Sequence, residues 1–412
     1  MTTKRREPAL QAHTWEFKPY FRRHAFGWKS QPAITRVKQA VAEIKTVAKR
    51  DLVLAAEGAI VFLERVSPAL AQVDSSSGSI GSVVNNAIAE LVPILANAPT
   101  DAKTREAWLE RLFEAYEADH VPYLEWLGEH WGTLCASKDV ASAWADRLIE
   151  TVKLSWSPDR ALRRYFKGTP NCLSALVAAE RYDDVLALLE LAPYPWIFYR
   201  QYGVRALAAS GKQAEAVRYA EEGRGLNDSP VMVARVCEEV LLSSGLVDEA
   251  YRRYGLEANQ EGTCLATFRA VAKKYPHKPP SELFADLVKT TPDDEGKWFA
   301  VARDARLYDD ALALATRAPC DPRTLARAAR DYAEKQPAFA VGAGLLSLYW
   351  LVQGHGYKIT SLDVWDAYRA TLAAAERQGT SAEVKERIRK LVAAEGASGR
   401  IATTVLSREL GL

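Results

Sequence analysis

Apolar residues recur at the three- and four-residue spacing of an α-helix along most of the chain, and the helices of the second half are well punctuated. After Ser229, the residues Val231, Val233, Val236, Val240 and Leu241 share one face, and Gly245 follows as a stop. A second helix is predicted from Val247 to about Tyr254. The same pairing continues as Cys264 to Tyr275 with Ser281 to Lys289, Asp293 to Ala305 with Tyr308 to Arg317, and Pro322 to Glu334 with Phe339 to Val352. Ser157-Pro158, Ser229-Pro230, Thr291-Pro292 and Asp321-Pro322 each place a capping side chain before a proline whose missing N–H costs nothing in a first helical turn, so all four are predicted helix starts. No segment alternates with a period of two, and no Asn-Gly or Asp-Gly marks a hairpin, so the predicted class is all-α.

The first half is helical with less regular spacing. Ile34, Val37, Val41, Ile44 and Ala48 form one stripe within 33–50, flanked by Lys38, Lys45 and Lys49. Further helices are expected over 51–66 and 83–96, the latter kinked or ended by Pro93. Another starts at Thr100-Asp101, with Trp108, Leu109, Leu112, Phe113 and Tyr116 on one face. A boundary is expected between about 154 and 168. The predicted organisation is a basic aromatic segment (1–32), an N-terminal helical region (33–168) and a helical-repeat region (169–412).

Four stretches share one pattern of break, acid and small residue before an apolar helix. They are Arg181-Tyr182-Asp183-Asp184-Val185, Gly211-Lys212-Gln213-Ala214-Glu215-Ala216, Gly245-Leu246-Val247-Asp248-Glu249-Ala250 and Arg306-Leu307-Tyr308-Asp309-Asp310-Ala311. Their last residues, 185, 216, 250 and 311, are separated by 31, 34 and 61 positions, the last close to two periods. Such a period is the mark of stacked helical hairpins. Over roughly 170–391 the chain resembles tetratricopeptide-type repeats, and as a whole it is similar to uncharacterised bacterial helical-repeat proteins. The repeated Trp-Leu-Gly-Tyr set and the closing prolines of that family are missing. The resemblance implies an α-α solenoid, a right-handed superhelix of stacked hairpins, whose concave groove binds a peptide or another macromolecule. It carries over no catalytic residue.

Composition adds bounds. At 48% hydrophobic and 26% charged, the 412 residues supply ample core. The five cysteines, Cys135, Cys172, Cys237, Cys264 and Cys320, are far apart and odd in number, which reads as buried thiols in a reducing, cytoplasmic setting. The basic start of the chain lacks the apolar stretch of a signal peptide, and the apolar run 339–352 is shorter than the roughly 20 residues that span a bilayer. No membrane partner is expected.

The charge is unevenly spread. Residues 1–50 hold twelve basic residues (Lys4, Arg5 and Arg6 among them) against three acidic ones, a net of +9, whereas the remainder, with 42 basic and 49 acidic, carries −7. Trp15, Phe17, Tyr20, Phe21, Phe26 and Trp28 alternate with Lys18, Arg22, Arg23, His24 and Lys29. With Arg36 and Lys38, these cations are the candidate nucleic-acid contacts, neutralising phosphates while the rings stack on bases. The packing alternative is that the rings anchor this segment to the first helices; a third is docking of the basic arm on an acidic face of the same or a second copy.

Signals for catalysis are weak, and a non-enzymatic protein without cofactor or metal is expected. His120 and His130 flank an aromatic stretch with Glu125 and Glu129, but no metal-ligand spacing recurs. The 74–81 loop (DSSSGSIG) lacks a P-loop lysine and reads as a capping loop; Asp293, Asp294 and Glu295 suit a helix N-terminus; His355 reads as a loop residue; and Cys172 and Cys320 read as packing. The leading expectation is a scaffold or adaptor that binds a partner protein or peptide, with Trp196, Tyr199, Arg200 and Tyr202 as candidate groove anchors. Packing between repeats is the alternative for much of the Tyr194–Tyr199 run. Nucleic-acid binding through the N-terminal region is the competing function.

Overall fold

The computed structural model describes residues 13–159, 161–223, 228–396 and 399–412, and among them every regular element is helical. The chain divides into two compact units, one ending at Val240 and the other beginning at Leu241.

In the first unit a short 3-10 turn, Lys18–Tyr20, precedes α1 (Ser30–Ala48), α2 (Leu52–Leu70), α3 (Ser79–Asn97) and α4 (Ala102–Glu117). Two short helices, α5 (Trp126–Glu129) and α6 (Trp131–Cys135), lead to α7 (Lys138–Ser155), α8 (Thr169–Ala178), α9 (Tyr182–Glu190), α10 (Ile197–Ala209) and α11 (Gln213–Glu222). Chain neighbours pack in sequence, α1 on α2, α7 on α8, α9 on α10 and α10 on α11, and α8 also packs on α6. The starts follow from cap chemistry: Asp51, Asp101 and Ser137 each accept an amide hydrogen bond from the residue three positions on. The predicted face Trp108, Leu109, Leu112, Phe113 and Tyr116 is buried. Pro93 does not end α3, which runs on to Asn97. By length and composition α3 is apolar enough to cross a membrane. Its face of Ile80, Val84, Ile88, Leu91 and Leu95 is packed against α1, α2 and α6.

In the second unit Val247–Ala250 continues through a wider, π-type turn, Tyr251–Gly255, into Leu256–Ala258. Cys264–Lys274, Pro280–Lys289, Phe299–Asp304, Tyr308–Arg317, Pro322–Tyr332, Pro337–Val352, Ser361–Gln378, Ser381–Glu395 and Ile401–Leu410 follow. Pro337–Val352 is the predicted central helix, touched by Tyr308–Arg317, Pro322–Tyr332, Ser361–Gln378, Ser381–Glu395 and Ile401–Leu410. Ser347 Oγ donates to the Pro322 carbonyl at 2.7 Å and Trp350 Nε1 to that of Ala315 at 2.8 Å, so its polar atoms are satisfied inside the core.

The four sequence breaks share one geometry. Glu180 (φ 59°), Gly211 (φ 81°), Gly245 (φ 74°) and Arg306 (φ 62°) are left-handed. The residue after each donates its amide to a carbonyl five positions back: Arg181 to Leu176, Lys212 to Leu207, Leu246 to Leu241 and Leu307 to Ala302, at 2.8–3.0 Å. This is the Schellman ending of a helix. The small residues that close the signature, Val185, Ala216, Ala250 and Ala311, are all fully buried.

Ser229-Pro230 and Asp321-Pro322 open helices, with Asp321 accepting the Thr324 amide. Ser157-Pro158 does not: Ser157 Oγ accepts the Asp159 amide and Asp159 the Ala161 amide, which closes a turn instead. Thr291-Pro292 does not either, because Thr291 Oγ1 is engaged by Trp298 Nε1 at 2.8 Å and Asp293 is left-handed at φ 70°. The helix starts later, as a 3-10 turn at Glu295–Trp298 that passes into Phe299–Asp304.

Candidate functional site

The N-terminal aromatics turn inward. Trp15, Phe17, Phe21 and Phe26 are buried, and Phe17 and Phe21 meet Phe62 of α2 edge-on at ring-centroid separations of 5.9 and 5.2 Å. Glu43 of α1 accepts the amides of Glu16 and Phe17 at 2.7 and 3.0 Å, which fixes the segment to the helix. Gly58 of α2 leaves room for the Trp15 indole. The base-stacking role therefore fails for these four rings, because their faces are spent on the core; Tyr20 and Trp28 remain exposed. Lys18, Arg22, Arg23, Lys29 and Lys38 are exposed and form no ion pair with a described residue. Arg36 is half-buried, its guanidinium 3.7 Å from the Tyr20 ring centroid and donating to Gln39. Lys4, Arg5 and Arg6 lie outside the described residues.

Of the four predicted groove anchors, the structure brings Trp196 and Tyr199 into one site. Tyr194, Trp196 and Tyr199 form a stacked row, with centroids 5.1 and 6.2 Å apart and interplanar angles of 12° and 18°. Trp156 closes its inner end, edge-on to Tyr199 at 5.2 Å. Facing this row across a cleft of about 270 Å³ stand Tyr165, Phe166, Arg163 and Arg164. Tyr165 is 78% exposed, Tyr194 55% and Trp196 41%, an unusual amount of aromatic surface for rings so close together. Trp196, extended at the start of α10, stays partly exposed while Ile197 enters the core. Arg163 and Arg164 spend donors on the carbonyls of Ser157, Ala161 and Arg163, and have no carboxylate partner among the described residues.

The other two anchors lie elsewhere. Tyr202, within α10, is fully buried and offers no surface to a partner. Arg200 folds back over the Tyr219 ring at 3.7 Å and donates to the Tyr219 carbonyl, so it ties α10 to α11. Sequence reasoning missed Trp156, Tyr165 and Phe166, which join the site across a connection with no periodicity. The local density of Arg and aromatic residues from Arg163 to Phe166 was the available signal.

The remaining candidates fall into packing or capping roles. His120 is exposed. His130 stands edge-on to Trp126, burial lowers its imidazole from the usual histidine range, and burial raises the Glu129 carboxyl. No group of three potential metal ligands occurs among the described residues. In the 74–81 loop the amides of Ser76 and Ser79 are taken by Asp74 and Ser77. Asp294 pairs with Lys297 and Glu295 with Arg317. His355 rests edge-on against Trp350 at 4.8 Å. Burial pushes the thiols of Cys135, Cys172 and Cys320 up to about 12, the inert range for a nucleophile at neutral pH.

No protein-family profile, no curated protein and no solved structure matches this chain.

Proposed function

We propose that this protein is a non-enzymatic scaffold or adaptor that binds an extended segment of a partner protein in the aromatic cleft. The observation that carries the reading is the exposed, stacked row Tyr194, Trp196 and Tyr199 facing Tyr165 across the cleft. Rings held in parallel by a helix start lose little entropy on binding, and grooves lined this way suit proline-rich segments, which are already extended. Arg163 and Arg164 at the rim, without a carboxylate partner among the described residues, favour an acidic residue beside the prolines. The tetratricopeptide-like architecture, a right-handed superhelix of stacked hairpins, belongs to the same proposal. It is supported by the sequential packing of helices within each unit and by the four matching helix endings. A cytoplasmic location is supported by the five free thiols, four of them buried.

Selection of displayed 12-residue peptides on the full chain tests the reading. Enriched peptides are expected to carry proline or aromatic residues next to an acid, and to lose at least about tenfold in affinity for the Trp196→Ala, Tyr194→Ala double variant. Enriched peptides that bind the double variant as tightly as the native chain would refute it.

A second reading, nucleic-acid binding by the basic N-terminal surface, is favoured by Lys18, Arg22, Arg23, Lys29 and Lys38, which are exposed and form no ion pair with a described residue. With most of the rings buried, it reduces to phosphate contacts. Affinity for a 20-nucleotide single strand would then fall steeply with salt, and the joint change Arg22→Ala, Arg23→Ala would flatten that slope by about two. An unchanged slope removes this reading.

A further inference from the structure

A cleft of about 630 Å³ in the second unit opens along the seam where Pro322–Tyr332 and Ser361–Gln378 pack together. Arg323, Arg327 and Arg330 come from the first helix at steps of four and three, which places them in one stripe, and Arg369 comes from the second. Ala326, Ala370 and Ala373 complete the lining, and their small side chains leave the space between the arginines open.

The four guanidinium groups are not equivalent. Arg323 is saturated: it pairs in two-pronged fashion with Asp363 at 2.6 and 2.9 Å and donates to the carbonyls of Tyr357 and Lys358. It forms a wall. Arg327 donates to the Arg323 carbonyl and to Thr324 Oγ1, and Arg369 lies 5.5 Å from the Trp365 ring centroid. Neither has a carboxylate partner among the described residues. Arg330 uses Nε on its neighbour Asp331, leaving its terminal nitrogens. Arg369 and the donors that these bonds leave on Arg327 and Arg330 are thus available to one group entering between the helices.

We propose that this cleft binds a phosphomonoester through Arg327, Arg330 and Arg369. Four arginines against Asp363 and Asp366 in the lining, with Asp331 beside Arg330 just outside it, leave an excess of positive charge that suits a phosphomonoester of about −1.5 to −2 at neutral pH. Guanidinium forks suit its oxygens, and three of them surround a compact anion. Asp366, which has no ion-pair partner among the described residues, repels a second phosphate, which argues against a nucleic-acid strand. The volume falls in the range of about 300 to 1,000 Å³ typical of small-ligand sites, so the phosphate arrives attached to something larger. That carrier is either a free metabolite or a phosphorylated side chain, and the cleft recognises the chemistry they share. The inference does not depend on the aromatic cleft, which lies in the other unit.

Calorimetric titration of the full chain tests it with three ligands: phenyl phosphate, a phosphoserine hexapeptide, and a 20-nucleotide single-stranded RNA. Saturable binding of phenyl phosphate or of the phosphopeptide is expected, weakened about tenfold or more in the Arg327→Gln, Arg369→Gln double variant and strengthened by Asp366→Asn. Tighter binding of the phosphopeptide assigns the phosphate to a protein side chain, and equal or tighter binding of phenyl phosphate assigns it to a small molecule. Both support the site. Because neither arginine holds an ion pair, the double variant should melt with the native chain, and that measurement separates lost binding from lost folding. Binding of neither ligand, affinity unchanged in the folded double variant, or a preference for RNA would overturn the proposal.

Discussion

Replacing Gly58 with alanine adds one methyl group inside α2, and that methyl has nowhere to go. A Cβ at this position would stand 2.2, 2.4 and 2.6 Å from three atoms of the Trp15 indole, against about 3.5 to 4 Å for an ordinary contact. The indole must move by more than about 1 Å. It is held by Phe17 at 5.4 Å and His13 at 4.4 Å, and it is buried. Overpacking of this kind costs about 1 to 3 kcal/mol, rising to about 3 to 5 if the indole loses its seat altogether. Alanine returns about 1 kcal/mol through its better helix propensity. The net expectation is destabilisation by about 1 to 4 kcal/mol. Gly81 in α3 supplies the control, because nothing lies within 4 Å of its Cβ position; Gly81→Ala should stabilise by about 0.5 to 1 kcal/mol. Urea unfolding followed by circular dichroism reads both. Trypsin adds a local measurement, since Arg22 and Arg23 are exposed but lie between the buried Phe21 and Phe26, and cleavage there accelerates only when the segment lifts off. If Gly58→Ala stabilised the chain as Gly81→Ala does, or left cleavage at Arg22 and Arg23 unchanged, the N-terminal segment would not be seated on α2 through Trp15.

Other parts of the molecule give equally direct expectations. Arg105 is buried and donates to the carbonyls of Leu95 and Ala98 at 2.5 and 2.8 Å, closing the end of α3; Arg105→Leu should cost about 2 to 4 kcal/mol by thermal or urea unfolding, because those carbonyls lose their donor. Gly211→Ala and Gly245→Ala should each destabilise by about 1 to 2 kcal/mol, whereas Glu180→Gly and Arg306→Gly should be neutral or stabilising by up to about 1 kcal/mol, the difference being read as shifts in urea midpoint. Hydrogen bonding to Arg323 holds the Asp363 carboxyl well below the usual carboxylate range, so its contribution is complete above the ordinary value near 3.8 and is lost as the pH falls toward the folded value. Melting curves between about pH 5 and pH 2 should therefore be less pH-dependent in Asp363→Asn than in the native chain.

Much of the helical frame was legible because its signals are local. Apolar periodicity located Tyr308–Arg317 to the residue, and the predicted run 339–352 became the core of Pro337–Val352. Local signals failed where one side chain had two uses. Thr291 can cap a helix, but it bonds the Trp298 indole seven residues away, and the expected start at Pro292 gives way to a later one. The densest aromatic run illustrates the same limit. Nothing in its spacing distinguishes rings that stack on Phe62 from rings that face solvent, yet Phe21 is buried and Trp28 is 72% exposed. The two clefts were least legible, since each joins residues roughly 40 positions apart: Trp156 with Tyr199, and Arg327 with Arg369. Residue type alone put Trp196, Tyr199 and Tyr202 in one group, yet Tyr202, one turn beyond Tyr199 on α10, is fully buried while Trp196 stays 41% exposed.

The repeated signature helps to explain why the sites lie where they do. Each of its parts has a structural use: the left-handed residue turns the chain, the following amide satisfies a carbonyl of the finished helix, the acids favour the positive end of the next helix, and the small residue is enclosed. Glu180 and Arg306 hold the left-handed position without being glycine, so the turn persists at a cost of about 1 to 2 kcal/mol in backbone strain. Neither of the two proposed clefts draws its lining from the signature itself. The aromatic row enters at Tyr194–Tyr199, between the first and second copies, and the arginine stripe begins at Arg323, after the last. Both proposed clefts use helix faces and connections outside the signature, and for this reason the pattern that marked the helix endings was silent about them.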